Sequence, residues 1–120
     1  VTSDFSVPSA TAAGVTDAII AGVTPGAGTY LVIHQGEISV TNANTDIEFS
    51  IFANGLLVSG SRRRIGFDDT SVPNVLFYYS AIVTVAAAQT VEGRWSRTAG
   101  TGTMQINQTN NGRLTLIKLA

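Results

Sequence analysis

Apolar and polar residues alternate with a period of two along most of the chain, and almost nowhere with the period of a helix. The clearest stretch is Thr45 to Ala53: Ile47, Phe49 and Ile51 point one way, and Asp46, Glu48 and Ser50 the other. Asn54-Gly55 follows, then Leu56-Leu57-Val58. A type I′ turn needs positive φ at both central residues, and Asn-Gly accepts that, so this stretch predicts a tight hairpin. From Thr29 to Thr41, Tyr30, Val32, Ile38 and Val40 share one face and Gln35, Glu37, Ser39 and Thr41 the other, with Gly36 marking an expected bulge. Val91 and Trp95 alternate with Glu92, Arg94 and Ser96. Short strands are expected through Met104 and Ile106 and through Leu114 and Leu116.

Leu76 to Ala86 breaks this pattern by being apolar on both faces. Phe77, Tyr79, Ala81, Val83 and Val85 lie on one side, and Leu76, Tyr78 and Ile82 on the other. A strand in a two-layer domain needs only one apolar face, so the second needs another cover. The run Ala18 to Ala21 reads as a first strand or as one helical turn. Residues 59–74 read as a long loop. Residues 1–14, small and polar with Pro8, read as an extended N-terminal arm ahead of a single domain at 15–120. Seven or eight strands with frequent turn signals imply an all-β antiparallel sandwich with Greek-key or jelly-roll connections.

The length of 120 residues suits one domain. Charged residues make up 12%, against about a quarter in typical domains. This fits a surface partly covered by other protein, because interface centres lose charge; a surface built from Thr, Ser, Asn and Gln fits equally well. A net charge of -1 provides no field to draw in nucleic acid. No apolar run approaches the roughly 20 residues of a membrane helix. Cysteine is absent, which excludes a disulfide scaffold and thiolate metal sites. Initiator Met is commonly removed before a residue such as Val1, as expected of a nearly complete gene product; a trimmed fragment would look the same.

Candidate chemistry is sparse. His34 stands alone in the middle of a predicted strand and reads as a structural histidine held in or beside the sheet. Asp46 and Glu48 share a strand face and could flank a substrate or a hard cation, but the polar side of an amphipathic strand accounts for them as well. Asp68-Asp69 lacks the dense oxygen-ligand spacing of a calcium loop. Arg62-Arg63-Arg64 is the sharpest charge feature: it is balanced locally by Asp68 and Asp69, or it grips acidic groups on a partner.

The segments GTYLV at 28–32, FANGLLV at 52–58, YYSAIVTVAAAQTVEGRW at 78–95 and LTLIKL at 114–119 together resemble the tumour-necrosis-factor-like jelly roll, including the complement globular head. The resemblance covers about three quarters of the chain. It implies a homotrimer with aromatic and apolar strands along the axis, and here points to Phe77, Tyr78, Tyr79 and Ile82 as the trimer interface. Small, cysteine-free, Thr/Ala/Asn-rich versions of the domain are similar to proteins of tailed bacteriophage particles. The resemblance therefore implies a structural virion protein: a trimeric decoration (cement) protein on the capsid surface, with the major capsid protein as partner. Phe5 and Val7 of the arm and Arg62, Arg63 and Arg64 are the expected capsid contacts. The alternative is the receptor- or glycan-binding head of a phage fibre, and a third reading is a minor carbohydrate-active domain using Asp46 and Glu48. No enzymatic activity, cofactor, metal, nucleic acid or membrane is expected under the first reading.

Overall fold

A computed structural model describes residues 2–7, 11–12, 18–68, 75–101, 104–106 and 112–120, with the backbone alone at 2–7, 11–12, 18, 105, 106 and 112. The described strands are β1 (Thr2–Val7), β2 (Thr11–Ala12), β3 (Ala18–Val23), β4 (Gly28–Val40), β5 (Thr45–Ala53), β6 (Leu56–Leu57), β7 (Arg63–Phe67), β8 (Val75–Val85), β9 (Val91–Ala99), β10 (Met104–Ile106) and β11 (Gly112–Lys118). They form two antiparallel sheets. In the first, β8 pairs one edge of β4; β11 and β10 pair its other edge, and are followed by β1 and β2. In the second, β3 pairs β9, β9 pairs β5, and β6 and β7 share the far edge of β5.

Alternation decides which side chains fill the space between the sheets. Tyr30, Val32 and Ile38 of β4 face Ile47, Phe49 and Ile51 of β5, with Val91 and Trp95 of β9 and Leu114 and Leu116 of β11 completing the layer. Each such side chain fully removed from water contributes about 1.5–3 kcal/mol. Phe49 and Phe77 stack across the two sheets, ring centroids 4.0 Å apart. Phe77 shares the inward face of β8 with Tyr79, Val83 and Val85.

The Asn54-Gly55 hairpin forms as expected: φ is 51° at Asn54 and 76° at Gly55, and Ala53 pairs with Leu56. Of the two readings of Ala18 to Ala21, the strand holds, as part of β3. Two local expectations change. Gly36 sits in an unbroken register opposite Phe77, with no bulge; the shifts occur instead at Ile19/Ala21 and Asp46/Ile47. The expected 59–74 loop contains β7, which adds to β5 through the pairs Ile47–Ile65 and Thr45–Phe67. Between β7 and β6 the edge of β5 lacks a strand partner at Ile51. There the Ser61 hydroxyl accepts from the Ile51 N–H and donates to its carbonyl, each at 3.1 Å, and the same carbonyl accepts from the Val58 N–H at 2.9 Å.

Candidate functional site: an apolar sheet face with a free edge

Strand β8 has two distinct faces. Phe77, Tyr79, Val83 and Val85 are buried, while Leu76, Tyr78 and Ile82 remain 77%, 67% and 65% exposed. The register with β4 places Ile82 beside Leu31, Ser80 beside Ile33 and Tyr78 beside Gln35. The register with β11 then places Ile117 beside Leu31 and Thr115 beside Ile33. Ile82, Leu31 and Ile117 therefore form an apolar band across three strands on the outer face of the first sheet, with Tyr78 and Leu76 extending it along β8. Of the described side chains sharing this face, Glu37 and Arg113 carry charge, at the end marked by Leu76 and Tyr78, and the register of β1 sets Asp4 opposite Thr115 of the same face. Among the described residues β8 pairs only with β4, and no described strand covers its second main-chain edge.

The four expected interface residues thus separate. Tyr78 and Ile82 lie on the outer face. Phe77 and Tyr79 are core residues, which corrects their expected place at a subunit contact: a ring already packed between two sheets cannot also be offered to a neighbouring chain. The sequence could not choose between the faces, because both are apolar.

His34 is buried against Tyr79, with Nδ1 and the Tyr79 hydroxyl 2.7 Å apart. The rings of Phe77 and Phe49 meet it edge-on. Burial lowers its pKa to about 3, so the imidazole is neutral, and burial likewise pushes the Tyr79 phenol up, with Arg63 opposing. This is a structural histidine.

The arginines lie at the β7 edge. Arg62 Nη1 meets Glu48 Oε1 at 2.8 Å, and Arg64 Nη2 lies 3.8 Å from Glu48 Oε2. Arg63 donates to the Gly60 and Arg62 carbonyls, both at 2.7 Å, and is exposed. Local balance therefore comes from Glu48 across the strand pair; Asp69, one of the two carboxylates expected in that role, lies outside the described residues. Nearby on the same sheet face, Arg94 pairs with Glu92 at 2.6 Å and covers the Phe52 ring at 4.0 Å. Among the described residues no group of three His, Cys, Asp or Glu side chains could hold a metal ion.

The backbone of residues 2–7 runs along β11, with Phe5 opposite Leu114 and Val7 opposite Gly112. This segment, expected as an extended arm, thus carries an extra edge strand. The side chains of Phe5 and Val7 lie outside the described residues.

No family model and no curated protein matches the chain. Solved structures do. Eiger TNF from S. frugiperda superposes with a TM-score of 0.64 at 13% identity, covering 100% of this chain and 92% of that one. A chain of infectious bursal disease virus, Gx strain, gives a TM-score of 0.50 at 11% identity, covering 96% of this chain and 34% of that one. A family 35 carbohydrate binding module from Clostridium thermocellum, at 12% identity over 98% of this chain and 99% of its own, reaches a TM-score of 0.47, too low to argue from. Identities this low establish the fold alone: the chain is an all-β, tumour-necrosis-factor-like jelly roll.

Proposed function

We propose that the chain is a self-associating structural protein of a virus particle, a homotrimer that decorates a bacteriophage capsid. The observation that carries this reading is the outer face of β8, where Leu76, Tyr78 and Ile82 stand in water beside Leu31, Ile33 and Ile117. Exposed apolar area costs about 25 cal/mol per Å² relative to burial, and a contiguous patch on a soluble domain marks an interaction site. The virus chain that shares the fold supports a place in a particle. The cysteine-free, Thr- and Asn-rich composition supports a phage. In this reading Tyr78 and Ile82 face the neighbouring subunit. The capsid contact falls to the arginine ridge of β7, where Arg63 and Arg64 are exposed, because β1 is held in the sheet.

Light scattering on the isolated protein tests the assembly: a trimer is expected, and a monomer at micromolar concentration overturns the reading. The role is tested by the ratio of this chain to the major capsid protein in purified particles. Copy numbers of the same order support decoration. A few copies per particle would replace it with a fibre head, and absence from the particle overturns both.

A further inference from the structure

Natural sheets blunt their edges with short strands, charges, prolines or bulges, because an open edge templates pairing with other chains. Three of the edge strands follow that rule. β6 has two residues; β7 carries Arg63 and Arg64; β3 has a register shift between Ile19 and Ala21. β8 does not. It has 11 residues, VLFYYSAIVTV, with no charge, no proline and no register shift against β4.

Strand sense narrows what can occupy this edge. β8 is antiparallel to β4, β4 to β11, and β11 to β1. The first sheet therefore ends in β8 on one side and, on the other, in β1 and the two-residue β2, both running the opposite way. When copies are arranged around an axis parallel to the strands, the β8 edge of one copy meets the β1 edge of the next in antiparallel sense, the more stable pairing. Where the rotation closes, such a head-to-tail contact makes a ring, with β1 covering at most six of the 11 residues of β8.

We propose that the β8 edge is a main-chain docking site for β1 of a second copy of this chain, so that the first sheet continues from subunit to subunit. This rests on the self-association proposed above and specifies its mode. Face packing alone would bury Tyr78 and Ile82 but leave the outward N–H and C=O groups of β8 unpaired. Edge pairing satisfies those that β1 covers and turns the Ile82–Leu31–Ile117 band towards the ring's interior.

Amide hydrogen exchange followed residue by residue on the intact protein separates these modes, with light scattering on the same sample. The expected result is an oligomer in which the β8 amides that do not face β4, and the β1 amides that do not face β11, exchange at least about tenfold more slowly than in an Ile82→Asp monomer. Three results overturn the inference. An oligomer whose outward β8 amides exchange as freely as in the monomer removes edge pairing while leaving the proposed assembly standing. A dimer protected at β8 but not at β1 means that β8 pairs with its own copy. Protection of β8 that appears only on added capsids assigns the edge to a coat-protein strand. A monomer at micromolar concentration would instead overturn the self-association on which the inference rests.

Discussion

The imidazole of His34 lies directly over the backbone of Gly93. A Cβ at position 93 would stand 2.6 Å from both Cε1 and Nε2 of that ring. His34 belongs to one sheet and Gly93 to the other, so the contact passes through the middle of the sandwich. The ring cannot retreat easily, being bonded to Tyr79 and met by Phe49 and Phe77. Gly93→Ala should therefore destabilise the domain by about 1–3 kcal/mol in urea unfolding, as overpacking does. His34→Ala should make the second substitution nearly neutral, a non-additivity that a double-mutant cycle measures.

Acid should act through the same histidine. Its folded pKa of about 3 lies below the ordinary value of 6.5. Between those limits the unfolded chain binds a proton that the folded one does not. This contribution to stability is thus complete above pH 6.5 and is lost as pH falls towards 3, with a limiting slope of about 1.4 kcal/mol per pH unit. Urea midpoints at pH 7, 5.5 and 4.5 should show this slope in the native protein, and a His34→Gln variant should lack it. Equal slopes would mean that another group controls acid unfolding.

At the β5–β6 hairpin, Gly55 has φ 76° and open space around its Cα. Sterics within the residue, rather than packing, restrict it. Gly55→Val should lower stability by about 1–3 kcal/mol, since a β-branched side chain is strained in this region. A melting curve identical to that of the native protein would contradict the turn geometry.

Ala88 occupies the left-handed region at φ 64° in the β8–β9 connection. A Cβ costs about 1–2 kcal/mol there, and glycine avoids that cost while losing more chain entropy on folding. Ala88→Gly should raise stability by a few tenths to about 1 kcal/mol in a denaturant titration. A lower midpoint would show the entropy loss to be the larger effect.

Ile82 offers a way to break assembly without breaking the fold. Its side chain is mostly in water, so Ile82→Asp should leave the melting transition of the isolated subunit nearly unchanged. In light scattering the same substitution should convert the oligomer to a monomer. An oligomer that survives it would move the contact elsewhere.

Alternation made β4, β5 and the hairpin legible in the sequence because each has one apolar and one polar face. β7 was not legible: RRIGF offers only Ile65 and Phe67 to the core, and with two arginines ahead of them it reads as a loop. Missing β7 also hid the Arg62–Glu48 pair, whose members are 14 positions apart. The candidate site was half visible. Two-sided hydrophobicity marked β8 as needing a second cover, but which aromatic rings are core and which are surface depends on cross-sheet contacts such as the Phe49–Phe77 stack and on the His34–Tyr79 bond to β4. The Gly93 contact depends on cross-sheet register, which no local pattern carries.

The uncharged β8 makes the lifetime of an unassembled subunit a matter of concentration. An 11-residue run of high β propensity, with no charge or proline, is the kind of segment that seeds stacked aggregates when left open. Each newly folded copy is therefore in a race between meeting its proper neighbours and meeting another copy out of register. Synthesis in large bursts would favour both outcomes. Productive assembly then depends on how quickly correct neighbours close over the strand, so yield during recombinant production should respond to expression rate as strongly as to the stability of the fold.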